Sequence, residues 1–126
     1  MHLNKFLLFF LFLPGIYFAQ CNPPTNISTR YIGWNYASIN WDAGGNETSW
    51  EISWGYQGFT AGSANKFFKN SNNYTLSGLS KNTSYDIYIR SICDDGSGST
   101  DTSAWSGPVN FTTLDYYLGW TGGTTY

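Results

Sequence analysis

The sequence is poor in the side chains that most enzymes use for acid–base and metal chemistry. Its 126 residues include one histidine, one methionine and two cysteines. Histidine changes charge near neutral pH and is the commonest general base. The single histidine, His2, lies in a segment that we expect to be removed from the mature chain. No nucleophile and base are suitably paired, so the sequence predicts no catalytic residue, no metal site, no cofactor and no enzyme activity.

Charged residues are also scarce, and what replaces them indicates the fold class. They make up 11% of the chain, the formal net charge is −2, and no basic cluster occurs, so we expect no nucleic-acid partner. Aromatic residues reach 20%, and threonine, serine, asparagine and glycine are plentiful. This composition favours an all-β protein. The length suits one ordinary domain.

Residues 1–20 have the features of a secretory signal peptide. His2 and Lys5 precede an apolar run at 6–13, which Pro14 ends. The run is far shorter than the roughly 20 residues of a membrane-spanning helix, so we expect no membrane span. The sequence therefore predicts a secreted or cell-surface protein. A competing interpretation makes Cys21 the acylated cysteine of a lipoprotein, although a small residue is expected before such a cysteine.

The only cysteines, Cys21 and Cys93, both follow the signal segment. An even number of cysteines in an exported chain favours a disulfide over a metal site or a catalytic thiol. Two separate thiols, or a lipid on Cys21, remain the alternatives.

Apolar and polar residues alternate along short segments that are separated by turn-forming residues, which is the pattern of half-buried strands. Leu79 stands six residues before Tyr85, as in a tyrosine corner, where the ring packs inward and the hydroxyl bonds to backbone upstream. Seven strands are predicted, at 26–31, 36–41, 50–54, 65–69, 74–79, 85–93 and 109–113. The predicted core consists of Trp41, Trp50, Ile52, Trp54, Leu79, Tyr85, Ile87, Ile89 and Phe111. The pattern indicates a seven-stranded, immunoglobulin-like antiparallel β-sandwich.

Residues 21–114 resemble fibronectin type III domains of the kind found in secreted multidomain bacterial proteins. The likeness rests on Trp41 at the end of the second strand, on Leu79, Thr83 and Tyr85 around the corner, and on Pro108 before the last strand. It implies a non-catalytic extracellular module that is a structural, adhesive or protein-interaction unit. Residues 115–126 fall outside it, as an unstructured tail or the start of a lost segment. An integrin-binding Arg-Gly-Asp is absent from the loop 94–106.

The alternative function is a carbohydrate-binding accessory domain of a secreted enzyme. In that interpretation the loop aromatics Trp34, Tyr56 and Phe59 form a platform for sugar rings. The partner is accordingly an unknown extracellular protein or glycan.

Two groups of carboxylates have structural interpretations that we prefer. Asp94, Asp95 and Asp101 could offer oxygen ligands to calcium, but their spacing matches no EF-hand, so we interpret them as a solvated acidic loop. Glu51 and Asp86 should face outward on neighbouring strands, where a surface charge pair with arginine is favoured over a glycosidase pair.

The sandwich topology adds three expectations about contacts. Arg90 and Trp105 should form a cation–π pair. Arg90 lies on the sixth predicted strand, and Trp105 leads into the last strand, which should lie beside it. The start of the first strand and the end of the sixth should lie at the same end, or pole, of the sandwich, where Cys21 and Cys93 would meet. The loops 42–49, 70–73 and 94–106 should lie at that pole and carry any protein recognition.

Overall fold

The computed structural model describes residues 20–94 and 96–116. The predicted signal peptide, except residue 20, and the end of the predicted tail, 117–126, lie outside the described residues. Eight strands form the described part: β1 (Thr25–Ile32), β2 (Tyr36–Asp42), β3 (Ser49–Tyr56), β4 (Asn65–Lys69), β5 (Asn73–Ser77), β6 (Ser84–Asp94), β7 (Thr100–Thr102) and β8 (Ser106–Thr112). Among these residues no helix is long and apolar enough to cross a membrane.

The strands form two antiparallel sheets packed as a sandwich. One sheet has three strands in the order β1-β2-β5, and the other has five, in the order β4-β3-β6-β7 with β8 also paired to β6. The predicted all-β sandwich is confirmed. The strand count is eight instead of seven because a short extra strand, β7, forms before the last predicted strand; β7 pairs with one end of β6 and β8 with the other.

A close backbone approach at the start of β8 requires glycine. Gly107 has a φ of +122°, and a Cβ there would lie 2.7 Å from the carbonyl oxygen of Ile87. Any other side chain would therefore clash with β6 as well as strain the backbone. β7 itself, Thr100–Thr102, falls within the loop predicted at 94–106.

The core lies between the sheets, where alternate residues of each strand point inward. Trp41 and Trp50 come from opposite sheets, and their rings meet edge to face with centroids 5.8 Å apart. Of the predicted core residues, Trp54 is only partly buried. It pairs with Asn65, the first residue of β4, so it lies at the margin of the sheet rather than at its centre. The buried apolar residues are Ala37, Ile39, Trp41, Trp50, Ile52, Leu76, Leu79, Tyr85, Ile87, Ile89 and Phe111.

The turn between β5 and β6 is held by hydrogen bonds to side chains. The amide of Ser80 donates to the hydroxyl oxygen of Tyr85 at 2.9 Å, which is the geometry of a tyrosine corner. The hydroxyl of Thr113 donates to the carbonyl of Ser80 at 2.6 Å and accepts from the amide of Thr83 at 3.0 Å. The corner is thus tied both to the core and to the end of the last strand.

The disulfide expected from the sequence is present between Cys21 and Cys93, whose Cα atoms are 5.6 Å apart. The segment that follows Cys21 crosses the sandwich edge along β6 and β8. The hydroxyl of Ser91 donates to the carbonyl of Asn22 at 2.6 Å, and that of Ser106 donates to the carbonyl of Pro24 at 2.7 Å. These bonds satisfy carbonyls that precede the first strand and therefore have no ladder partner.

Candidate functional site

The outer face of the five-stranded sheet carries a charged cluster around the buried carboxylate of Glu51. Oε2 of Glu51 accepts a hydrogen bond from Nε of Arg90 at 2.6 Å, and Nη2 of the same guanidinium lies 2.6 Å from this oxygen as an ion pair. Nζ of Lys66 lies 3.8 Å from the other carboxylate oxygen. Cζ of Arg90 lies over the indole of Trp105, 4.5 Å from the ring centroid. The guanidinium therefore contacts a carboxylate at its edge and an aromatic ring at its face, the two contacts that suit its planar shape.

The expectation that Glu51 and Asp86 lie on an exposed surface is wrong. They do occupy the outward positions of β3 and β6, but their exposed fractions are only 3% and 5%. Glu51 is in contact with Arg90 and Lys66, and Asp86 lies under the loop 57–64, which folds back over this face. Its Phe59 packs on Tyr88 with ring centroids 5.4 Å apart, and its Gly58 amide donates to Oδ2 of Asp86 at 2.8 Å.

The two carboxylates have different partners and do not form a pair. Oδ1 of Asp86 accepts from the side-chain amide of Asn110 at 2.9 Å, whereas Glu51 bonds to Arg90. Both groups are buried and hydrogen bonded, which is how structural carboxylates are stabilised in a protein interior. Their arrangement offers no acid and base that face each other across a cleft.

The disulfide end of the sandwich brings the predicted recognition loops together. The carboxylate of Glu47 accepts from the amide of Asn22 at 2.8 Å and from that of Gly45 at 2.6 Å, joining the β2–β3 loop to the N-terminal segment. The hydroxyl of Ser49 donates to the side-chain oxygen of Asn70 at 3.0 Å, and this bond joins the start of β3 to the β4–β5 turn.

A depression of about 420 Å³ lies at this end. Its lining comes from the N-terminal segment, the β2–β3 loop and the end of β6: Gln20, Asn22, Gly45, Asn46, Glu47, Thr48, Ile92, Cys93 and Asp94. We call this end, with the loops 43–48 and 70–72 and the β6–β7 turn, the disulfide pole. At this pole the disulfide and Glu47 join the N-terminal segment, the β2–β3 loop and the end of β6 before any partner binds.

The acidic residues near this pole accept hydrogen bonds from backbone amides close to them in the sequence. Oδ1 of Asp94 accepts from the amide of Gly96, and Oδ1 of Asp101 accepts from the amide of Thr102, both at 2.8 Å. Asp95 lies outside the described residues. Within 20–94 and 96–116, no group of three or more histidine, cysteine, aspartate or glutamate side chains could hold a metal ion.

The loop aromatics proposed as a sugar platform are not brought together as one surface. Tyr56 stacks on Tyr85 with centroids 5.5 Å apart, and Phe59 lies beside it along a depression of about 300 Å³. Trp34 is not part of this depression and contacts Tyr116 edge to face at 5.4 Å.

Sequence reasoning overlooked the outer face of the three-stranded sheet. Two rows of polar side chains cross it, and each row takes one residue from each of the three strands. The first row is Tyr31, Ser38 and Thr75, and the second is Ser28, Asn40 and Asn73. A shallow depression of about 330 Å³ lies over these rows. We call this surface the polar face. The only signal in the sequence was that hydroxyls and amides fill the outward positions of β2 and β5, apart from Asp42 at the end of β2.

Two packed antiparallel sheets, with a tyrosine corner at the turn into β6, define an immunoglobulin-like sandwich. The family model for the fibronectin type III domain matches residues 22–112, and the chain belongs to that family. Domains of this family are commonly structural or interaction modules and are typically non-catalytic.

Solved structures share the fold at low sequence identity. One is a myokine, with a TM-score of 0.61 and 21% identity, covering 76% of this chain and 100% of that one. Another comprises the FN1–FN3 domains of chicken CNTN1, with a TM-score of 0.63 and 15% identity, covering 76% of this chain and 31% of that one. No curated protein matches the sequence.

Proposed function

We propose that the protein is a non-catalytic extracellular module that acts as a structural, adhesive or protein-interaction unit and contacts its partner through the disulfide pole. The observation that carries this proposal is the linkage of the pole: the disulfide and the two hydrogen bonds of Glu47 join the N-terminal segment, the β2–β3 loop and β6. Fixed loops lose little conformational entropy on binding, which favours recognition.

Export of the chain is part of the proposal. The predicted signal peptide supports it, and so does the disulfide, because disulfides persist in oxidising compartments and are rare in reducing ones. The protein would then be secreted or held at the cell surface. Its resemblance to modules of secreted multidomain bacterial proteins suggests that it works beside other domains.

Binding of the labelled mature domain to the surface of the producing cells tests the proposal. Two arginine substitutions at exposed positions of the pole, Asn46→Arg and Thr48→Arg, should reduce the bound signal in flow cytometry. Ser77→Arg is the matched control, because Ser77 is also exposed but pairs with Tyr36 at the opposite end of β2. Equal losses in all three variants would contradict contact through the pole.

Protease treatment of the cells separates the kinds of partner. A protein partner predicts that mild proteolysis of the cell surface abolishes binding of the wild-type domain. Binding that survives proteolysis would favour the second candidate function, a carbohydrate-binding accessory domain, for which the polar face is the supporting observation. Absence of any binding would leave only the structural role.

A further inference from the structure

We propose that the polar face, the outer surface of the sheet β1-β2-β5, binds a neutral oligosaccharide or polysaccharide. This inference concerns a surface other than the disulfide pole and rests on the second candidate function, carbohydrate binding. It places that function on the sheet instead of on the loop aromatics. Four properties of the face carry it: the type of its polar groups, an exposed aromatic ring, balanced charge and a rigid base.

The polar groups of the face are those that recognise sugar hydroxyls. Ser38 and Thr75 share a hydrogen bond of 2.9 Å between their hydroxyls, and Ser28 donates to Oδ1 of Asn40 at 3.2 Å. A hydroxyl can donate one bond and accept two, and an amide offers two donors and an acceptor. These bonds within the face therefore leave donors and acceptors directed at a ligand. They also orient the side chains before the ligand arrives.

The two rows are spaced for a ligand with hydroxyl groups along its length. They lie two residues apart on β2, at Ser38 and Asn40, which is a distance of about 7 Å in a strand. This distance is comparable to one sugar ring with its hydroxyls. The depression above the rows is open to solvent and shallow, so a polysaccharide chain can lie along it without having its ends enclosed.

Tyr31 supplies the aromatic ring. It stands in the first row, on the edge strand β1, and 61% of its surface is exposed. Cζ of Arg30 lies 5.7 Å from the centroid of its ring. The face of an aromatic ring is electronegative, and the C–H groups of a pyranose carry partial positive charge, so a sugar can stack on the exposed ring. The ring lines the same depression as the β2 and β5 members of the two rows, Ser38, Asn40, Asn73 and Thr75.

The charge on the face points to a neutral sugar. Among the residues that line the depression, Arg30 is the one cation and Asp42 the one anion, and the carboxylate of Asp42 already accepts from Asn26 at 2.8 Å. An acidic glycan would require an excess of cations. A protein partner is disfavoured because Tyr31 is the only large exposed hydrophobic side chain of the lining, whereas the centre of a protein interface is apolar.

The base of the face is rigid. Beneath the polar rows the inward side chains Ala37, Ile39 and Leu76 of the same strands are at most 1% exposed. They pack in the core of the sandwich, so the strands cannot readily move when a ligand binds to the face. A preformed surface lowers the entropy cost of binding. This matters for a sugar ligand, because its individual hydroxyl contacts are weak.

Affinity electrophoresis of the mature chain through gels that contain soluble neutral polysaccharides tests the proposal. The panel comprises mixed-linkage β-glucan, xyloglucan, galactomannan and dextran, with bovine serum albumin as the non-binding reference. At least one polysaccharide should retard the wild-type protein. Tyr31→Ala should weaken that binding about tenfold, by analogy with the loss of a stacked ring, and Asn40→Ala should weaken it as well. Tyr31→Phe should bind nearly as the wild type, because the ring is retained.

Tyr56→Ala is the matched control, since Tyr56 is 66% exposed but lies on the other sheet. Retardation by none of the polysaccharides would overturn the proposal. So would variants at Tyr31 and Asn40 that bind as the wild type, or loss of binding in Tyr56→Ala alone. The pole variants Asn46→Arg and Thr48→Arg should retain polysaccharide binding, so failure of the polar-face proposal and failure of the pole proposal give different results. Equal thermal unfolding midpoints would establish that each variant is folded.

Discussion

Removing the guanidinium of Arg90 should destabilise the domain far more than removing the charge of its partner Glu51. The two side chains differ in burial: 5% of Glu51 is exposed, and 27% of Arg90. In Arg90→Leu the buried carboxylate keeps one cation, Lys66, at 3.8 Å. In Glu51→Gln an amide oxygen of the same shape still accepts from Arg90, whose exposed part remains hydrated.

The expected magnitudes follow from this asymmetry. Lys66 compensates little for the loss, because it is 3.8 Å away and 46% exposed. Removing one partner of a buried ion pair costs about 3–5 kcal/mol, and loss of the contact with Trp105 adds about 0.5–1 kcal/mol. Arg90→Leu should therefore lower the free energy of unfolding by about 3–5 kcal/mol or slightly more. Glu51→Gln exchanges one charged hydrogen bond for a weaker one and should cost about 1–2 kcal/mol.

Urea denaturation at neutral pH, followed by circular dichroism with the disulfide intact, measures these differences. Lys66→Leu is the control, because its side chain is 46% exposed and its contact is long, so we expect a change below about 0.5 kcal/mol. The double variant Glu51→Leu/Arg90→Leu should recover part of the stability lost in Arg90→Leu, since no buried charge remains. The reasoning is refuted if Arg90→Leu costs no more than Glu51→Gln, or if the double variant is the least stable.

Three further changes have defined expectations in the same assay. Tyr85→Phe should cost about 1–2 kcal/mol, because the amide of Ser80 loses its acceptor at 2.9 Å, and an unchanged midpoint would argue against the corner. Replacing Cys21 and Cys93 by serine opens a loop with a sequence separation of 72 and should cost about 4 kcal/mol in the chain-entropy model, whereas a small loss would indicate a compact unfolded state. Trp105→Ala removes the ring over the guanidinium on β6 and should cost about 1 kcal/mol; equal stability would show that the ring contributes nothing.

The sandwich could be predicted because its strands carry a strong local pattern. Along β2, Ala37, Ile39 and Trp41 alternate with polar residues, and this period of two assigns each residue to a face whatever the rest of the chain does. The disulfide could be predicted because only two cysteines were present in a chain with a predicted signal peptide. β7 could not be predicted, because its three exposed polar residues, Thr100–Thr102, give no apolar alternation.

Burial of Glu51 and Asp86 could not be predicted for a different reason. Alternation places both side chains on the outer face of the sheet, but it contains no information about what covers that face. Glu51 is in contact with the side chains of Arg90 and Lys66. Asp86 is covered by the loop 57–64, which has no period of its own. The loop is held by bonds formed only in the folded state, such as that from the Gly62 amide to the hydroxyl of Ser53 at 3.0 Å.

The polar face is hidden in the sequence because polar residues are expected on the solvent side of any sheet. Ser38 and Asn40 belong to β2, while Thr75 and Asn73 belong to β5, more than 30 residues later. The two rows exist only in the strand register, which the sequence does not specify. Tyr31 joins them through a register irregularity in β1 between Thr29 and Tyr31, which a regular alternation cannot anticipate.

We propose that the protein is an exported module cross-linked by one disulfide. The intact mass of the protein recovered from the medium or from the surface of the producing cells tests this proposal. We expect a chain that has lost its first residues and carries no lipid on Cys21. Its mass should be lower than that of the reduced form by two hydrogen atoms, and it should accept a thiol-alkylating reagent only after reduction. An uncleaved chain confined to the cell interior, two thiols alkylated without reduction, or a lipid mass on Cys21 would contradict the account.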